Sequence, residues 1–126
     1  MESVIIVAPR DYHDRFRARI PAKYKASEGA GGALVVEDGR SRIYIGKNDA
    51  VRDELDAGKL KTVAAVTAAP SFYTVDFTDL AFCRDILIAV ADDPDVLVDN
   101  DHGVLLSGTD FVRVLRSQRD WDWRRD

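Results

Sequence analysis

The segment with the most chemical potential is 96–106, where Val96, Leu97 and Val98 run into Asp99, Asn100, Asp101, His102 and Gly103. Two aspartates at i and i+2 on a strand end could attack phosphorus and protonate a leaving group. Phosphoryl transfer also needs cations for the developing charge; the last lysine here is Lys61, and only 25 residues follow Asp101. A calcium loop fails on register. With Gly103 as its sixth position, the first, third and fifth ligands would be Val98, Asn100 and His102. Asp and Asn side chains bond nearby backbone and tolerate left-handed geometry, so the segment reads as a hairpin turn whose exposed acids could meet a partner.

The other reactive residue types assemble nothing stronger. His13 and His102 are too few for a three-histidine zinc centre and have no clustered third ligand. Cys83 is the one cysteine, so no disulfide within the chain and no multi-thiolate site can form, and a reducing cytosol fits. Its place on an apolar helix face predicts an inert core thiol. Ser107 lacks the leading glycine of Gly-x-Ser-x-Gly and reads as a helix cap. Gly29, Gly31 and Gly32 have neither a third glycine at the required offset nor a Walker lysine. Tyr12, Phe16, Phe72, Tyr73 and Phe77 could line a ligand pocket, but their helix and strand periods predict core. No catalytic residue, metal set or cofactor is assigned.

These residues need elements to position them. The apolar run 4–8, ended by Pro9, predicts a buried strand. Tyr12, Phe16 and Ile20 at i, i+4, i+8 predict an amphipathic helix between Asp11, as cap, and Pro21. Segment 27–33 is small-residue loop. Segments 33–37 and 42–46 flank Asp38-Gly39-Arg40-Ser41 and predict a hairpin. A short peripheral helix over 49–57 is expected, capped by Asn48 and stopped by Gly58. In 60–69 alanines favour helix and β-branched residues favour strand; the balance tips to strand after Lys61. Segment 71–77 alternates as a strand. Leu80, Cys83, Ile86, Leu87 and Val90 predict the main core helix, capped by Thr78 or Asp76 and stopped by Asp93-Pro94. Segments 96–98 and 104–106 form a second hairpin, and Ser107 with Asp110 resembles a capping box before a last helix. Two hairpins among interleaved helices predict an α+β fold: one domain over 1–126, a largely antiparallel sheet, and about four helices packed on it.

Composition narrows the partner. The net charge of −4 and the sequence pI of about 5.1 argue against direct nucleic-acid binding. The charge is uneven: 1–70 holds 12 basic and 10 acidic side chains, whereas 71–126 holds 6 and 12. Acidic solvated helix faces would explain this; so would a face for a basic partner. The N-terminal apolar run is too short for a secretory leader or a membrane span, so no membrane role and a cytoplasmic location are expected.

The acidic strand-turn-strand 96–106, the capped helix with Phe111, Val112, Arg113 and Leu115, and the ending Trp121-Asp122-Trp123 together resemble small immunity proteins of bacterial polymorphic-toxin systems, including contact-dependent inhibition. The resemblance covers mainly 72–126. It implies a cytosolic, non-enzymatic protein that binds a cognate toxin domain, with acidic and aromatic residues opposite a basic surface. On charge, Asp99, Asp101, Asp120 and Asp122 are the leading contact residues, with Trp121 or Trp123 as apolar anchor. The alternative is a small-ligand-binding or enzymatic α+β domain whose site the motifs do not reveal.

Overall fold

The computed structural model describes residues 2–124. Seven strands form one antiparallel sheet: β1 (Glu2–Pro9), β2 (Lys25–Glu28), β3 (Leu34–Asp38), β4 (Ser41–Lys47), β5 (Pro70–Phe77), β6 (Leu97–Asp99) and β7 (Leu105–Ser107). Their order is β2-β3-β4-β5-β1-β6-β7. Four α-helices pack on it: α1 (His13–Arg19), α2 (Ala57–Val66), α3 (Leu80–Val90) and α4 (Gly108–Ser117), with a 3-10 turn over Asp49–Glu54 between β4 and α2. The α+β fold is as the sequence predicts.

β1 is apolar on both faces because both faces are covered. Val4, Ile6 and Ala8 point into a large core shared with Phe16 of α1, Phe82, Ile86, Leu87 and Val90 of α3, and Phe111 and Leu115 of α4. Ile5 and Val7 point the other way, into a smaller cluster with Phe72, Leu97, Val51 and Val63 of α2. The register sets Ile5 opposite Thr74 and Asp99, and Val7 opposite Phe72 and Leu97. Four of the five aromatics noted above lie in the large core and Phe72 in the small one, so they do not gather around one pocket.

Several local expectations are corrected. Residues 60–66 are helix, because Asp56 Oδ1 accepts the Lys59 N–H at 2.8 Å as an N-cap and alanine-rich sequence propagates from it. Gly58 therefore lies inside that helix's first turn and stops nothing. The expected helix over 49–57 is only the 3-10 turn, and Asn48 makes no side-chain cap bond. Asp11 sits at φ 64° and does not cap α1, whose N-cap is Tyr12. Asp79, rather than Thr78 or Asp76, caps α3 by accepting the Phe82 N–H at 3.1 Å. Residues 27–28 of the expected loop belong to the edge strand β2, paired to β3.

Candidate functional site at the β6–β7 turn and C-terminal tail

The turn between β6 and β7 is built by its own polar side chains. Asp99 Oδ1 accepts the Asp101 N–H at 2.8 Å, and Asn100 Oδ1 accepts the His102 and Val104 N–H groups, each at 2.9 Å. Asp101 at φ 64° and Gly103 at φ 98° reverse the chain in the left-handed region that Asp and Gly tolerate. Asp101 and His102 face solvent.

The same turn holds the tail. Asn100 Nδ2 donates to the Trp123 carbonyl at 2.6 Å, joining two segments 23 residues apart. Trp123 is 1% exposed, with ring centroids 6.1 Å from Phe77 and 6.4 Å from Phe111; Trp121 is half-buried, 5.3 Å from Phe111. Arg84 donates to the carbonyls of Leu115 and Arg119, closing the end of α4 beneath the tail. Asp122 takes a two-point bond from Arg124 at 2.7 and 2.8 Å, and Arg124 reaches Glu2 at 3.0 Å. A recess of about 320 Å³ bounded by Ser3, Asp101, His102 and Arg124 lies beside Trp123. A second, of about 290 Å³, is bounded by Leu80, Arg84, Asp120, Trp121 and Trp123.

The turn and the tail thus meet at Trp123, which borders both recesses, but the six proposed contact residues differ in access. Asp101 and Asp120 are exposed, and Trp121 and Asp122 are half-buried. Asp99 and Trp123 are each 1% exposed and offer no open surface. The Asp99 carboxylate instead accepts Lys59 Nζ at 2.9 Å from α2, across the smaller core face. That partner lies 40 positions away with no motif to announce it. The closing Arg125 and Asp126 lie outside the described residues.

A second polar cluster escaped the sequence reading. Tyr12 donates to Asp93 Oδ2 at 2.5 Å, Arg19 donates to the same oxygen at 2.9 Å, and the Asp95 N–H reaches Oδ1 at 2.8 Å. Burial alone would raise the Asp93 pKa, but these three donors and the guanidinium charge together hold the carboxyl below its ordinary range. Burial, with Asp93 alongside, raises the Tyr12 phenol. The only hint in sequence was Tyr12 on the inner stripe of α1, and Asp93 read simply as a helix stop.

These pairings also change the charge count. Asp93 and Asp99 are neutralised by Arg19 and Lys59 from the more basic first stretch. Asp92 lies 3.5 Å from Arg116, and Asp110 lies 2.5 Å from Arg113. The exposed acidity of the second stretch is therefore less than its composition suggests, and Asp101 and Asp120 are among the acids with no ion pair to the described residues.

Among the described residues no group of three or more His, Cys, Asp or Glu gathers as a metal site. Cys83 is fully buried, and burial pushes its thiol far above the ordinary cysteine range. Ser107 caps α4, accepting the Asp110 N–H at 3.1 Å, as its sequence context predicts. No helix among the described residues is long and apolar enough to cross a membrane. Comparisons with protein-family models, curated proteins and solved structures return no match.

Proposed function

We propose that this chain is a cytoplasmic immunity protein that binds and neutralises a cognate toxin domain through the corner formed by the β6–β7 turn and the tail. The observation that carries the reading is the Asn100 to Trp123 bond, which fixes two separate acidic and aromatic segments as one edge. Fixing contact groups before encounter lowers the ordering cost of association. Trp121 supplies half-buried aromatic surface of the kind enriched at binding centres, while Asp101 and Asp120 supply exposed negative charge around it. The role is one of binding, not catalysis, and the partner surface is basic.

The test is co-purification with the product of the upstream gene, followed by kinetics with the double variant Asp101→Asn, Asp120→Asn. Asn keeps the left-handed geometry that Asp101 requires. Removing rim charge should slow association and flatten its salt dependence, with dissociation little changed. Failure to bind the upstream product, or association kinetics and salt dependence identical to the parent, rejects this edge as the interface.

A further inference from the structure

On the opposite side of the sheet from α1, α3 and α4, α2 and the 3-10 turn leave a groove of about 280 Å³. Its walls include Leu60, Val63 and Ala64 of α2 and Pro70 and Phe72 of β5. Val66, on the same helix, is the one large hydrophobic exposed among the described residues. Ala64, Ala65 and Val66 at the end of α2, with Ala68 and Ala69 just beyond it, are exposed small apolar side chains. A helix on a protein surface ordinarily turns charged residues outward.

One cation stands at this groove. The Arg52 guanidinium lies over the buried Phe72 ring, 5.4 Å from its centre. Among the described residues no carboxylate comes within ion-pair distance of it, and its neighbours Asp53 and Glu54 do not fold back to it. A guanidinium held over a ring without a carboxylate partner keeps its N–H donors available, and two parallel donors match a carboxylate. The C-terminal end of α2 also borders the groove, but a helix end carries only about half an elementary charge against the full charge of arginine. Asp49 also reaches this wall, its carboxylate accepting the Phe72 N–H at 3.4 Å, but it lies 3.6 Å from Lys47, and among the described residues Arg52 is the one charged residue lining the groove.

We propose that this groove binds a small hydrophobic carboxylate, with the apolar body between α2 and Phe72 and the carboxylate on Arg52. The volume falls just below the range usual for ligand pockets, roughly 300 Å³ and upward, which limits the occupant to a short branched or aryl acid. This site is separate from the turn and tail corner and does not rest on the toxin-binding reading.

The experiment titrates the isotope-labelled full chain with phenylpropionate, phenylpropanol and phenylpropylammonium, following backbone amide resonances. Saturable shifts confined to residue 52 and residues 60–72 are expected, with the carboxylate binding at least about tenfold more tightly than the ammonium. Arg52→Gln, at an exposed position, should bring the three probes within about twofold of one another, and Arg52→Lys should keep the carboxylate first. Absence of saturable shifts in the groove overturns the proposal. So does a ranking of the probes that Arg52→Gln leaves unchanged.

Discussion

Asp93 and Asp99 stand six positions apart, are both buried and both pair with a cation from the first half of the chain, yet they anchor different kinds of structure. Asp93 belongs to the elbow between α3 and β6. There Tyr12, Arg19 and the Asp95 N–H converge on one carboxylate, and Arg19 also donates to the Val90 carbonyl at 3.2 Å. Asp99 belongs to the β6–β7 turn, where one cation and one backbone N–H hold it and Asn100 does most of the remaining bonding. The elbow ties α1 to the main core helix, whereas the turn ties an edge hairpin to the tail. A buried charge is costly to strip of its partners, and the elbow has more structure resting on its carboxylate.

The largest effect should come from the elbow's backbone packing. A Cβ on Gly108 would meet the Ala91 carbonyl oxygen at 2.0 Å and that of Asp93 at 2.9 Å, while the Gly108 N–H already donates to Val96 at 2.7 Å. Neither carbonyl can move without opening the elbow. Gly108→Ala should cost about 3 kcal/mol or more, at the severe end of overpacking, measured by urea unfolding. A loss under about 1 kcal/mol would show that the elbow yields.

Next is the carboxylate itself. Asp93→Ala strands Arg19, part of whose side chain reaches solvent, and leaves the Tyr12 hydroxyl without its acceptor; a loss of about 3 kcal/mol is expected. The pH dependence follows from the depressed Asp93 pKa. Above the ordinary aspartate value of about 3.9 the contribution is fully present, and it is lost as pH falls through the lower folded-state value. The stability gap between parent and variant should therefore close in acid. A gap constant from neutral pH to well below that value would mean that Asp93 acts through packing rather than charge.

The turn should respond less. Asn100→Ala removes acceptance from His102 and Val104 and the bond to Trp123, at a cost of about 2 kcal/mol. Its distinguishing sign is local, since Trp123 should lose order while α1 and α3 keep theirs. Faster amide exchange at 97–107 and a shifted tryptophan emission would show it. Equal loosening of α1 would mean that elbow and turn form one cooperative unit.

Both regions show how far the sequence could be read. The Asp/Asn-rich turn was legible because its bonds are short-range: each Asx side chain reaches backbone within four positions. Ser107 was legible as a cap for the same reason. Tyr12 and Asp93 are 81 positions apart and Asn100 and Trp123 are 23 apart, so neither link leaves a local pattern. Residues 62–66 are helix against the strand preference of Val63 and Val66 because the Asp56 cap, itself readable in sequence, starts α2.

By itself the sequence determined the alternating strand β5, the apolar stripe of α3 and the two hairpins, since periodicity of 2 or 3.6 and turn chemistry dictate which side chains must leave water. Only the tertiary structure decided that β1 lies between β5 and β6, that Lys59 and Arg19 neutralise Asp99 and Asp93, and that Trp123 is buried beside Phe77. Those outcomes depend on which faces meet when the chain closes. A charge or an indole is placed by partners distant in sequence, and no local spacing encodes them.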